Sequence, residues 1–357
     1  MSNLERDPVE SVSGPEPTHA AAIQVLAPRD VPLGGPRAMR VRRTLPQRGR
    51  TTIGAWCFVD HYGPDDVAAS GGMLVPPHPH TGLQTVSWLF EGEIEHRDST
   101  GSAEFVRPGA VNLMTAGRGI AHSEVSTPAT TRLHGVQLWI ALPDASRGIA
   151  PFFEHAQVEP VVVDDAEVRV FAGSLPGVEA SDGLDQEGAV TVFSPLVGAQ
   201  VELPAGGEAW IELDPAFEHG LLVDLGPLTA TIPALDDEPD DARPDADPLA
   251  VAGHTTGLAR GELGYIGVGH EGVRLRAGAD APARAVLIGG TPFGEELVMW
   301  WNFIGRDHDE IAEFRRQWQA DVIAAGDADG RFGTVDGFDG APLPAPELPT
   351  VRLKPRS

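Results

Sequence analysis

The chain has 357 residues, enough for two ordinary domains or one large β assembly, and 41% of them are hydrophobic and 22% charged. Its 42 Gly and 32 Pro, without a collagen-like period, favour a turn-rich β protein over a helical bundle. A formal net charge of −26 argues against nucleic acid or anionic membrane as a direct partner, because both are themselves negative. Cys57 is the only cysteine, which excludes an intramolecular disulfide and disfavours a thiolate zinc site. The N-terminus lacks a basic start and an apolar core segment, and no run reaches the length of a membrane helix. These features read as a soluble, cytoplasmic protein.

In chain order, residues 1–21 are polar and aperiodic and read as a flexible tail. From Ile23 onward, short apolar or alternating segments are separated by turn residues: Val86 to Phe90, Ile94 to Arg97, Phe105-Val106, Val111 to Met114, then the alternation Val136, Leu138, Ile140, Leu142. The second half repeats this style at Val168 to Phe171, Val190 to Phe193, Ala209 to Leu213, Leu221 to Leu225, Tyr265 to Val268, Val273 to Leu275 and Ala285 to Ile288. A pseudo-repeat of two β-barrels is the economical reading. The acidic, Pro-containing run at residues 236–248 reads as a solvated insertion, with calcium binding the weaker alternative. Ile311, Phe314, Trp318 and Val322, spaced 3, 4 and 4, form one stripe of a C-terminal helix. The Gly- and Pro-rich residues after it read as extended.

Two clusters stand out among the 12 histidines. His78-Pro79-His80 and His122-Ser123-Glu124 each place two metal-type ligands at i and i+2, on one face of a strand. Pro79 holds the backbone near extended geometry, and its missing N–H suits a strand end or edge. An isolated H-x-H is as readily a surface turn, but the second cluster, behind Gly117 and Gly119, tips the balance toward metal. Two such strands facing each other across a barrel would bring three imidazoles and one carboxylate to a point. That set favours Fe(II), with Mn, Ni, Co, Cu or Zn open. Four protein ligands on an octahedral ion leave two positions for substrate, water or O₂.

The remaining histidines read differently. His19, His254 and His270 sit in polar or Gly-rich contexts and read as surface groups. His155, His219 and His308 lack a partner at strand spacing. His61, His96 and His134 lie near the candidate barrel and could support the ligands.

The stretch from His78 to Glu124 resembles the pirin family of the cupin superfamily: H-P-H, then Glu91-Gly92 to His96-Arg97-Asp98-Ser99, then Pro108-Gly109 to Met114-Thr115-Ala116-Gly117-Arg118-Gly119-Ile120 and His122-Ser123-Glu124. Cys57 to Pro64, Gln137-Leu138-Trp139 and Leu287 to Pro292 fit the same family. The resemblance implies an all-β fold of two tandem cupin (double-stranded β-helix, jelly-roll) barrels with a C-terminal helix. The chain then divides into a tail at 1–21 and an N-terminal barrel with the metal site at 22–165. A C-terminal barrel at 166–305 carries the insertion 236–248, followed by a helix at 306–326 and an extended tail at 327–357.

The resemblance also implies metal, usually iron, on His78, His80, His122 and Glu124, and in the first barrel alone. In the second barrel, Pro215 to His219 offers one histidine where two are needed, so it is expected to be metal-free. Where many relatives have Glu in the first segment, this chain has Gln84, which should leave the ligand set intact and alter the hydrogen bonding around it.

Some relatives are associated with quercetin 2,3-dioxygenase activity. The implied enzyme binds the deprotonated 3-hydroxyl of a flavonol or similar O-chelating substrate, adds O₂ and releases carbon monoxide. Glu124 would serve as ligand and as catalytic base, or as ligand only. The alternative is a metal- or redox-responsive regulator acting through a protein partner.

Overall fold

The computed structural model describes residues 22–33, 39–68, 72–178, 189–234 and 253–356. The N-terminal tail and the acidic run at 236–248 lie outside the described residues. Each half of the chain builds one seven-stranded and one four-stranded antiparallel sheet. In the first half the larger sheet runs in the order Phe152–Gln157, Ala110–Thr115, Leu83–Glu91, Arg132–Ala141, Trp56–Asp66, Met39–Leu45, Arg29–Leu33. The smaller runs Leu74–His80, Ile120–Ser126, Ile94–Asp98, Ala103–Val106. The second half repeats both orders. Its larger sheet is Gln24–Leu26, Leu263–Ile266, Glu218–Leu225, Ala283–Gly290, Leu196–Leu203, Ala166–Gly173, Val161–Val163, and its smaller is Glu208–Glu212, Gly272–Ala277, Leu228–Pro233, Gly253–Leu258.

Position by position the two orders match, and they reveal an exchange. The Phe152–Gln157 strand leads into the second barrel yet completes the first, pairing with Ala110–Thr115. Gln24–Leu26 leads into the first barrel yet completes the second, pairing with Leu263–Ile266. Each barrel is thus closed by the strand that precedes the other, which covers an edge that would otherwise stay open.

The two larger sheets pack face to face. Their facing side chains form one apolar cluster that includes Val86, Val136 and Leu138 from the first half and Leu222, Val286 and Ile288 from the second. Polar groups in this layer are satisfied across it: Trp88 Nε1 donates to Gln200 Oε1 at 2.7 Å, and Trp56 Nε1 to the Val197 carbonyl at 3.0 Å. Gly54, at φ +51, lets the backbones of the halves touch, since a Cβ there would lie 2.7 Å from Gly290 Cα.

After the second barrel comes a hairpin, Val298–Trp300 with Phe303–Gly305, then the helix His308–Gln317, capped by Asp307, whose carboxylate accepts from Glu310 N. The helix continues as a wider π turn, Trp318–Ala324. Ile311, Trp318 and Val322 are buried, as their spacing predicts, and Phe314 packs beside them. The described residues beyond form no further strand or helix, but they pack tightly: Phe332 is buried, and Trp318 Nε1 donates to the Leu343 carbonyl.

Val190 to Phe193, expected as a strand, is irregular. Its backbone is taken by side chains instead: Thr191 N donates to Glu154, and the Thr191 carbonyl accepts from Gln84. No helix among the described residues is long and apolar enough to cross a membrane.

Candidate metal centre

His78 and His80 lie on Leu74–His80, and His122 and Glu124 on Ile120–Ser126. These strands are hydrogen-bonded neighbours in the small sheet, not strands facing across the barrel as the spacing alone suggested. His122 is directly opposite His78, and Ile120 opposite His80. Glu124 pairs with Val75, one residue out of step. The extra residue falls at Pro76-Pro77, whose missing N–H groups cannot continue the ladder, so the strand bulges there. The free edge of this strand is covered from the C-terminal region: Leu343 N donates to the Pro77 carbonyl and Ile304 N to the Thr81 carbonyl.

The three imidazoles converge. His78, His80 and His122 each offer a ring nitrogen, and these lie within 4.8 Å of one another. The Glu124 carboxylate groups within the same limit with His96 and His122. All four predicted ligands line one cavity, together with Phe58, Asp60, Gln137 and Trp139. His78 Nδ1 is 2.9 Å from the Pro76 carbonyl and His80 Nδ1 is 3.1 Å from the Asn302 carbonyl. A carbonyl only accepts, so both Nδ1 atoms carry the proton and both Nε2 atoms present a lone pair. His80 Nε2 and His122 Nε2 are 3.1 Å apart. Two imidazole nitrogens bound at right angles to one first-row ion, each at about 2.0–2.1 Å, lie about 3 Å apart. The donor set and its spacing fit a mononuclear metal.

Electrostatics agree. Burial pushes His78 down to about 3, with the Pro76 carbonyl pulling the other way. Burial also drives His80 and His122 well below the usual imidazole range, reinforced by the charge of neighbouring imidazoles. Burial raises Glu124, against the pull of His96 and of the Ser87 hydroxyl, which donates to Oε1 at 3.0 Å. Imidazoles held neutral and a buried carboxylate are the donor types that a divalent ion takes.

The opposite wall comes from the larger sheet and was not read from the sequence. Ser87, Gln137 and Asp60 are in register on three adjacent strands, with Arg43 next to Asp60. Arg43 grips Asp60 through Nε at 2.6 Å and Nη2 at 2.7 Å, both side chains being buried. Trp139 stacks on Phe58 with ring centroids 4.1 Å apart. The period-2 alternation Phe58, Asp60, Tyr62 was the available signal, since it puts these residues on one face of a strand. Gln84 is buried but turned elsewhere, donating to Thr115 Oγ1 and to the Thr191 carbonyl, so its hydrogen bonds do not reach the ligands.

His61 and His134 do not join the cavity. They meet Asp224 of the second barrel: His61 Nε2 is 2.6 Å from Asp224 Oδ1, and His134 Nε2 approaches the same oxygen. These three also form a group of metal-type donors. Arg42 donates to His61 Nδ1, however, which leaves the His61 proton on Nε2, and Arg284 donates to Asp224 Oδ2. The cluster is a hydrogen-bonded lock between the barrels.

In the second barrel, the strands matching the two ligand strands are Glu208–Glu212 and Gly272–Ala277. Their inward residues are Ala209, Ile211, Val273 and Leu275, all part of an apolar core. His270, read as a surface residue, is buried there, because the loop before its strand folds inward. His219 is buried too, its ring pushed down to about 3 by desolvation. His254 is exposed as expected, His155 bonds Asn112, and His308 Nδ1 accepts from Leu353 N.

Two barrels of this topology, the first carrying a buried cluster of three converging imidazoles, define a tandem cupin. Comparison with known proteins agrees. The Pirin family model matches residues 38–140, and that of the Pirin C-terminal cupin domain matches 199–323. A Pseudomonas aeruginosa protein provisionally named quercetin 2,3-dioxygenase is 40% identical over 352 residues, 98% of either chain. A pirin-like protein of Caulobacter vibrioides is 31% identical, covering 86% of this chain and 94% of its own. A crystal structure of quercetin 2,3-dioxygenase from Acinetobacter baumannii is 35% identical, with TM-score 0.76, covering 93% of this chain and 98% of that one. The chain belongs to the pirin family.

Proposed function

We propose that the protein is a metal-dependent dioxygenase of the quercetin 2,3-dioxygenase type, acting on a flavonol or a similar O-chelating substrate. The observation that carries this reading is the convergence of three neutral imidazoles in a buried cavity with a carboxylate beside them, in a relative of proteins bearing that name. His78, His80, His122 and Glu124 are the proposed ligands. Fe(II) best suits this donor set, and Mn, Ni, Co, Cu or Zn are the competitors. When bound, the ion supplies Lewis-acid binding of the substrate oxygen and access to O₂ chemistry.

The protein's own groups do the rest. The Pro76 and Asn302 carbonyls fix the tautomers of His78 and His80. Glu124, with its pKa raised by burial, is the group placed to take the substrate hydroxyl proton. Phe58 and Trp139 give the cavity an aromatic wall on one side.

In His80→Ala, bound metal and flavonol turnover should fall together, turnover by on the order of 100-fold or more. Flavonol absorbance, O₂ uptake and carbon monoxide release measure this directly. A wild type that retains metal but turns over no member of a flavonol and catechol panel would sink the enzymatic reading.

A further inference from the structure

The motif Glu91 to Ser99 contains a polar pair that the ligand set does not use. On the Ile94–Asp98 strand, Asp98 lies opposite His122 and His96 opposite Glu124, so this strand shares the ligands' face. His122 Nδ1 is 3.4 Å from His96 Nδ1, and His96 Nε2 is 3.1 Å from Asp98 Oδ2. All three side chains are buried. The other Asp98 oxygen accepts from Thr100 N at 2.8 Å, Thr100 Oγ1 at 2.6 Å and Ser102 N at 3.2 Å, which anchors the carboxylate in its turn.

We infer that Asp98, acting through His96, fixes the tautomer of His122 and so turns its Nε2 lone pair toward His78 and His80; this rests on the metal-site reading above. The reasoning is proton counting along the chain of contacts. A carboxylate only accepts, so a His96 ring with a single proton carries it on Nε2. Its Nδ1 is then a lone pair, and the facing His122 Nδ1 must donate. One proton per neutral ring leaves His122 Nε2 bare.

The opposite arrangement would set a lone pair of His96 against the Asp98 carboxylate. It would also place a proton on His122 Nε2, which could bond His80 Nε2 but would take that nitrogen away from an ion. His78 and His80 obtain the same orientation from backbone carbonyls. His122 sits on the middle of three strands, Leu74–His80, Ile120–Ser126 and Ile94–Asp98, and obtains it from a side-chain relay. His96 is therefore a positioning residue rather than a ligand, although its ring nitrogen lies within ligand range of His122 and Glu124. Its ring stacks on Phe153, centroids 4.5 Å apart, which holds the plane of the relay.

The test uses the full chain with ¹⁵N-labelled histidine. In metal-free protein, long-range ¹H–¹⁵N correlations of His122, assigned by their loss in His122→Asn, should show the Nδ1–H form. In His96→Phe, which keeps the stack on Phe153 but cannot accept, that pattern should shift toward Nε2–H. Co(II) affinity, by competition with a chelator, should fall roughly 10- to 100-fold in His96→Phe. His96→Gln, whose amide oxygen can still accept from His122, should stay closer to wild type. An Nε2–H pattern in the wild type, or one unchanged in His96→Phe, overturns the inference. So does equal loss of affinity in His96→Gln and His96→Phe, the mark of a lost ligand. Wild type without Co(II) affinity but with the Nδ1–H pattern would instead overturn the metal reading and leave the relay standing.

Discussion

Asp224→Ala should lower the free energy of unfolding by roughly 3–5 kcal/mol, the cost of breaking a buried ionic network by removing one partner. Asp224 is fully buried and joins the barrels: His61 and His134 of the first approach one carboxylate oxygen, and Arg284 of the second donates to the other. Burial alone would raise its pKa, but the two histidines and the charge of Arg284 hold it far below the usual carboxylate range. Removing it strands two imidazole N–H groups and takes a carboxylate partner from Arg284, which keeps Glu202. Asp224→Asn, which still accepts but carries no charge, should fall between wild type and Asp224→Ala. Urea unfolding curves decide this. A midpoint for Asp224→Ala indistinguishable from wild type would remove the lock from the account.

The second large effect is loss of stability in mild acid. His61 is held at about 4, and His78 and His219 at about 3, chiefly by burial, with His80 and His122 also well below the usual range. In the unfolded chain each returns to about 6.5. Between about pH 6.5 and 4 the unfolded chain therefore binds protons that the native protein does not, so stability falls as pH drops. Each such histidine contributes up to about 1.4 kcal/mol per pH unit, and several acting together can exceed the whole margin of a typical domain. Metal-free protein should show a urea midpoint that drops steeply from pH 7 to pH 5. A flat midpoint over that range would mean that these rings are not buried neutral in the native state.

The candidate ligands were legible in the sequence because each pair is local, two residues apart on one strand, so the spacing alone puts both on one face. The two-barrel fold was legible for a similar reason, through short alternating segments between turns. What stayed hidden depends on contacts between distant residues. Nothing near His61 or His134 points to Asp224, which pairing brings in from the other barrel. The exchange of Gln24–Leu26 and Phe152–Gln157 cannot be read from strands that look alike. That the ligand strands are neighbours rather than opposed follows from the register at His78 and His122, and the bulge at Pro76-Pro77 sets where Glu124 falls. His270 misled because a Gly-rich flank says little about which way a loop folds.

The most direct test of the account is anomalous diffraction at the absorption edge of the metal carried by freshly purified protein. The account predicts a single peak within bonding distance of Nε2 of His78, His80 and His122 and of the Glu124 carboxylate. A peak among His61, His134 and Asp224, a peak inside the second barrel, or no peak from protein supplied with metal would contradict it.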